Sequence, residues 1–316
     1  MQRRTFAATA LAITAITATG AMAQDYPTRP ITMIVPHSPG GGVDTYARTL
    51  AAQGDDVVSV PMAIVNRPGS GGLNGAQSVK RARPDGYTAM IVSGGSLLLS
   101  TMVRDTDVNA IDDFEFVAQI GDLTTALMVP EGSPYETVQD LITAAKEKPG
   151  ELRWAHSGRG SFHHVAGVGF LEKNGIEAQD VPFGGGGPAR AALIGSQVDF
   201  AFLGIQQLAG FEGQLNPLGL NAAERDSIMA QVPTLKEQGV PYAVVSSPVL
   251  MLAPKGTPAE ALEYLETASE TITSKPGFAE ALSKAGTAPG FATGLESQTK
   301  LETMSADVAP LVEAFK

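Results

Sequence analysis

Ile31-Thr32-Met33-Ile34-Val35-Pro36-His37-Ser38-Pro39-Gly40-Gly41-Gly42-Val43-Asp44 is the stretch on which the fold turns. Its first five residues are a short apolar run of the kind found in buried strands, and Pro36 with the Pro39 to Gly42 turn ends it. After the glycines, Val43, Tyr46, Ala47, Leu50 and Ala51 recur at i, i+3, i+4, i+7 and i+8, so a helix follows with one face turned to a core. Strand, glycine turn and helix in that order open a βαβ unit.

The succession repeats outward from there. Residues 62–65 read as a strand, Pro68-Gly69-Ser70-Gly71-Gly72 as a break, the stretch to about Arg81 as a helix, Pro84-Asp85-Gly86 as a turn and residues 88–92 as a strand. Alternation of strands and helices predicts parallel pairing with right-handed crossovers. Phe114 to Pro130 is a longer apolar segment suited to a strand crossing between two lobes. Helix 138–148, strand 152–155, helix 161–173, strand 181–183, the Gly184 to Gly187 turn, helix 189–196 and strand 198–203 then form a second α/β unit. Val244 to Ala253 supplies a second crossing strand, and helices from near Thr257, Pro276 and Gly294 complete the first lobe. The predicted fold is an α/β hinged clamshell, with residues 24–122 and 250–316 in one lobe and 123–249 in the other. There is no internal repeat of fixed period and no low-complexity tract.

The N-terminus has the pattern of a secretory signal over residues 1–23. Arg3 and Arg4 precede an apolar run from Ala7 to Ala18, and Ala21-Met22-Ala23 is a small-x-small cleavage site. Arg3-Arg4-x-Phe6 also resembles a twin-arginine signal, but the ordinary secretory route is favoured because no Ser or Thr precedes the arginines. Both routes lead out of the cytoplasm, and no later stretch is apolar for the roughly 20 residues a membrane span needs. The chain has 22 basic and 33 acidic residues, a net charge of −11. Loss of Arg3 and Arg4 with the signal takes this to −13, which argues against nucleic acid as a partner. The absence of cysteine excludes disulfides, thiolate metal sites and cysteine nucleophiles.

In open α/β sheets, ligands bind beyond the carboxyl ends of strands, where turns lead into helix N-termini. Such turns offer unpaired backbone N–H groups and the positive end of the helix dipole, a natural seat for carboxylate or phosphate. Three turns fit: His37 to Asp44, Ser93 to Ser96 and Ser157 to His164. Their candidate ligand-binding residues are Pro39, Gly40, Gly41, Gly42 and Asp44 in the first turn, Ser93, Gly94 and Ser96 in the second, and Ser157, Gly158, Ser161, Phe162 and His163 in the third. A glycine turn can equally serve only to reverse the chain, and that plainer reading is preferred for Gly69 to Gly72 and Gly184 to Gly187. His37, His156, His163 and His164 all fall in or beside the first and third turns. No carboxylate stands at ligand spacing to them, so a hydrogen-bonding role outranks a metal site. Trp154, within a strand, belongs to the core. No Gly-x-Ser-x-Gly elbow, dinucleotide fingerprint, phosphate-binding loop lysine or His-Glu-x-x-His helix occurs. Ser161 with His163 is the one conceivable nucleophile and base, and no orienting acid can be assigned to them.

Tyr26-Pro27-Thr28-Arg29-Pro30-Ile31, Ile34-Val35-Pro36 and Pro39-Gly40-Gly41-Gly42-Val43-Asp44-Thr45 resemble the start of a Bug-family (TctC-like) substrate-binding protein of the tripartite tricarboxylate transporters. The resemblance continues in order through Asn66-Arg67-Pro68-Gly69, Pro84-Asp85-Gly86-Tyr87-Thr88, Ser157-Gly158-x-Gly160-Ser161-x-His163-His164, Gly185-Gly186-Gly187-Pro188-Ala189 and Val232-Pro233-Thr234-Leu235. It implies a periplasmic-binding-protein clamshell (Venus flytrap, type II) with two crossing hinge strands. It also implies a periplasmic receptor that catalyses nothing and hands its ligand to membrane permease subunits; the expected ligand is a small di- or tricarboxylate, the expected state a monomer, and no cofactor or metal is expected. A receptor feeding a sensor kinase is the alternative, and a Ser161-dependent hydrolase ranks below both. By position, Gly40, Gly41, Gly42, Asp44 and Thr45 would hold a carboxylate from one lobe, and Ser157, Gly158, Ser161 and His163 from the other. Asp199 is kept and joins the candidates. Gly184 stands where relatives often carry lysine, and Leu203 where many carry aspartate, so the wall that meets the distal end of the ligand is less polar.

Overall fold

A computed structural model describes residues 26–243, 245 and 247–313. The expected signal peptide lies outside the described residues, as do Val244 and Ser246 at the start of the second expected crossing strand.

Ile31, Met33, Ile34 and Val35 are almost wholly buried in strand β1 (Ile31–Val35), which leads into α1 (Gly42–Gln53). There follow β2 (Met62–Asn66), α2 (Leu73–Lys80) and β3 (Thr88–Ser93), which runs straight into α3 (Gly94–Val103). Both β2 and β3 lie parallel to β1, one on each side. The chain therefore steps from the middle strand to one neighbour and then across to the other. The carboxyl end of β1 is a topological switch point, where two successive crossovers leave on opposite sides and open a crevice.

Two strands then connect the first sheet to a second. β4 (Phe114–Asp122) belongs to the first sheet and β5 (Thr125–Pro130) to the other, with only Leu123 and Thr124 between them. The single long strand expected over 114–130 is thus two strands broken at the crossing. After α4 (Val138–Glu147), the second sheet repeats the first unit. It runs through β6 (Arg153–His156), α5 (Phe162–Asn174), β7 (Gln179–Pro182), α6 (Gly186–Ile194) and β8 (Phe200–Gly204), with β7 and β8 parallel to β6 on either side. A short 3₁₀ turn (Ile205–Leu208) and β9 (Leu215–Leu220) close this sheet.

The chain returns through β10 (Pro248–Pro254), buried along its whole length, then α7 (Ala259–Thr273), α8 (Pro276–Lys284), β11 (Pro289–Thr293) and α9 (Gly294–Glu313). The sheet orders are β11-β4-β10-β3-β1-β2 and β7-β6-β8-β5-β9. Parallel pairing holds for the two βαβαβ units. β10 pairs antiparallel with β3 and β4, and β5 with β8 and β9, because there the chain passes directly between sheets without a helical crossover. The crossing segments are tied to each other, Leu123 N donating to Ser247 O at 2.9 Å and Asn221 N to Thr125 O at 2.8 Å. The fold is a two-lobed α/β clamshell with the carboxyl ends of both three-strand units facing a shared crevice. No helix among the described residues is long and apolar enough to cross a membrane.

Candidate functional site

The turn after β1 is held open by its own side chains. Asp44, 2% exposed, accepts from Gly40 N at 2.9 Å and Arg48 Nε at 2.8 Å on one oxygen, and from Asn66 Nδ2 at 2.8 Å on the other. Burial pushes this carboxyl up, but the bonds from Arg48, Gly40 and Asn66 outweigh it and hold its pKa below the usual 3.8. Gly40 sits at φ +76°, a conformation that costs glycine little and other residues much. Thr45 Oγ1 donates back to Gly41 O at 3.2 Å. Gly41, at the N-cap of α1, has no side chain to accept from the first turn, so the leading N–H groups of that helix are left to a ligand. At the next strand end, Ser93 caps α3 by accepting from Ser96 N at 3.1 Å, and its hydroxyl also lies 2.5 Å from Ser247 Oγ. Ser93 N donates to His37 Nε2 at 3.3 Å, so the proton of the neutral His37 ring is on Nδ1. Burial lowers the pKa of His37 to about 4, which keeps it uncharged.

The second sheet answers with the same device. Gly158 and Gly160 adopt positive φ in the turn after β6, and Ser161 caps α5 by accepting from His164 N at 3.2 Å. Ser157 Oγ lies 2.6 Å from His163 Nδ1, while Nε2 of that ring, 6% exposed as a residue, has no partner. Burial, reinforced by His156 and His37, lowers the pKa of His163 to about 3. The Ser161 hydroxyl is engaged as a helix cap, and His163 pairs instead with Ser157. That Ser157–His163 pair lacks the carboxylate that would orient a base, and an imidazole of such low pKa is a poor proton acceptor at neutral pH. Gly185, the N-cap of α6, offers no side chain to cap it, so a further helix N-terminus opens toward the same space.

Behind the third turn, His156, His164 and Asp180 bring ligand-type atoms within 4.8 Å of one another. Their tautomers oppose metal binding. Gly158 N donates to His156 Nδ1 at 3.1 Å and Gly160 N to His164 Nδ1 at 3.3 Å, so both Nδ1 atoms are acceptors and the ring N–H of each is at Nε2, the atom a metal would need bare. His156 Nε2 donates a hydrogen bond to one oxygen of Asp180 at 2.5 Å, and Arg159 pairs with the other carboxylate oxygen at 2.7 Å. The trio braces the turn. Trp154 is buried beneath it, stacked on His164 at 5.9 Å.

These turns enclose a cleft of about 380 Å3. Of the candidates, Pro39, Gly40, Gly41, Gly42, Ser93, Ser96, Ser157, Gly158, Ser161, Phe162 and His163 line it. Asp44 and Thr45 stand behind the first turn as braces, and Gly94 lies against β10, where a Cβ would meet Leu250. Asp199 is remote from the cleft, accepting from Arg153 N at 2.7 Å. The two glycine turns given the plainer reading, Gly69 to Gly72 and Gly184 to Gly187, do line the cleft. So do Arg104, Arg159, Gln206 and Gln207, which no motif marked. Gln206 and Gln207 follow β8 as the Gly94 to Ser96 turn follows β3, so the repeated unit was the signal that would have found them. The lobes touch across the cleft: Ser38 Oγ donates to Gly184 O at 3.3 Å and Arg104 Nη2 to Arg159 O at 2.8 Å. The arrangement is a closed one, able to hold an anion between opposed helix N-termini.

The description "tripartite tricarboxylate transporter family receptor" (TctC) fits residues 46–309. Among relatives, the protein in the tcbD-tcbE intergenic region of Pseudomonas sp. (strain P51) is 31% identical, over 96% of this chain and 91% of its own. BugT of Bordetella pertussis is 30% identical over 86% of this chain and 84% of its own. Among solved structures, a Rhodopseudomonas palustris protein with adipate superimposes at a TM-score of 0.85 with 29% identity, covering 92% of this chain and 98% of that one. MatC of Rhodopseudomonas palustris with bound malate gives 0.84 with 26% identity, covering 91% and 100%.

Proposed function

This chain belongs to the tripartite tricarboxylate transporter receptor family, solute-binding proteins and not enzymes, and we propose that it captures a small di- or tricarboxylate in the periplasm for a membrane permease. The observation that carries the reading is the cleft itself. Helix N-termini from both sheets face it, and no aspartate or glutamate is among the residues that line it. Adipate and malate, bound by the two R. palustris proteins, are both dicarboxylates.

The energetics are adequate. Micromolar affinity corresponds to about −8.2 kcal/mol, and each hydrogen bond to a charged group contributes about 1.5 to 3 kcal/mol. Five or six donors among the backbone N–H groups, Ser157 and His163 contribute about 7.5 to 18 kcal/mol, a range that contains the roughly 12 kcal/mol needed for that affinity after an association cost of about 4 kcal/mol. On this reading the lobes are residues 24–122 with 250–316, and residues 123–249. Export removes residues 1–23, the receptor works as a monomer, and closure sequesters the anion.

Calorimetry of the purified protein against C4 to C6 carboxylates, aromatic acids and uncharged solutes tests this. A carboxylate should bind at micromolar concentration or tighter. Binding of an uncharged solute, with no carboxylate below millimolar, would sink the proposal.

A further inference from the structure

The ionisable side chains lining the cleft are His37, Arg104, Arg159 and His163. Arg159 is neutralised by Asp180 at 2.7 Å. Arg104 makes no ion pair among the described residues, and the hydrogen bond found for its guanidinium goes from Nη2 to the backbone oxygen of Arg159. That leaves a permanent positive charge on the cleft wall with N–H donors to spare.

Its position relative to the cradles is fixed by a helix. α3 runs along the cleft from Ser93 and Ser96 at its start to Arg104 just past its end, and all three residues line the same space. Ten residues at about 1.5 Å each separate the two ends by about 15 Å. The guanidinium stands at the Arg159-Gly160 turn of the second sheet, so a ligand whose first carboxylate is seated at the first-sheet N-termini, beside Ser93 and Ser96, presents its far end to Arg104. Building on the carboxylate reading above, we infer that Arg104 is the specificity-determining residue for the distal end of the ligand. It engages a second anionic group and selects dianionic over monoanionic ligands of the same length. Guanidinium suits the task because its planar fork matches a carboxylate. The same side chain bonds the opposite lobe, so a ligand that engages it also favours closure.

The test uses matched pairs, adipate with hexanoate and succinate with butyrate, titrated calorimetrically into the wild-type protein, Arg104→Gln and Arg104→Lys. Arg104 is exposed, so both variants should fold, and their ligand-free melting curves verify it. Arg104→Gln is expected to weaken the dicarboxylate of at least one pair about tenfold or more while leaving its monocarboxylate within about twofold, and Arg104→Lys to recover part of the loss. Equal weakening of both members would mean that Arg104 serves only as a latch between lobes, and would overturn the assignment, as would no weakening of either. A wild-type protein that binds no member of either pair, but binds an uncharged solute, would overturn the carboxylate reading beneath it.

Discussion

His37 and His163 sit on opposite sides of one cleft, and both stay uncharged because burial lowers their pKa values from 6.5 to about 4 and about 3. The unfolded chain takes protons at these residues below about pH 6.5, whereas the folded chain does not until far lower. Stability is therefore complete above about pH 6.5 and falls as pH drops from there toward 4. The slope approaches about 1.4 kcal/mol per pH unit for each histidine that remains neutral in the fold. Asp44 acts in a lower window. Its folded pKa lies below 3.8, so its stabilisation is present above that value and is lost as pH falls through the folded one. Urea unfolding between pH 7 and 4.5 should show the histidine slope, and His37→Gln should remove part of it. A flat profile across this range in the wild-type protein would show that these rings are not kept neutral by the fold.

At the scale of elements, each cradle is as good as the seat of the helix behind it. α5 lies on the second sheet through Gly167, where an added Cβ would run into the Trp154 ring. That ring is 1% exposed and packed between His164, Phe200 and Phe202, so it has nowhere to move. Gly167→Ala should therefore destabilise the protein by about 1 to 3 kcal/mol and weaken ligand binding through the displaced Ser157 to His164 turn. Denaturation and calorimetry on the one variant read both effects, and an unchanged midpoint would show that the helix can slide. The same elements show what the sequence made legible. β1 and α1 could be read directly, because an apolar run, a glycine turn and a 3.6-residue period follow one another without interruption. α3 was visible only as a turn, since Gly94 and Gly95 open it and the Leu97-Leu98-Leu99 core that follows has no polar face to give a period. β9 and β11 carry Pro217, Gly219, Pro289 and Gly290, residues that read as loops, and they are strands only because β5 and β4 pair with them. Glycine turns betrayed most of the cleft lining, whereas Arg104 and Gln206 reach it through helix length and strand order, which no local motif records.

For the whole molecule, the closed form rests on few contacts between lobes. Among the described residues, Ser38 meets Gly184, Arg104 meets Arg159, Val103 packs at Gly160, Gln206 packs with Leu123 against Gly42, Gly286 lies against Ala209, and α5 touches α3 and α9. The two hydrogen bonds contribute about 0.5 to 1.5 kcal/mol each and the apolar contacts are small, so the closed form is only weakly favoured over an open form with more freedom. A ligand bonded to both lobes adds what is missing, so binding and closure are one equilibrium. Ligand-free protein should accordingly scatter X-rays with a larger radius of gyration than this closed form, and a saturating carboxylate should reduce it. Gly42 offers the means to separate closure from the fold. A Cβ there would stand 2.5 Å from Gln206 Nε2 and 2.8 Å from Leu123 Cδ2. Gly42→Val would therefore wedge the cleft while leaving each sheet intact. This variant should remain expanded in the presence of carboxylate and bind it at least about tenfold more weakly, a loss of about 1.4 kcal/mol, with its ligand-free unfolding little changed. Compaction of Gly42→Val as complete as that of the wild-type protein would mean that the lobes close along another path, and that α1 holds its anion without the second lobe pressing against it.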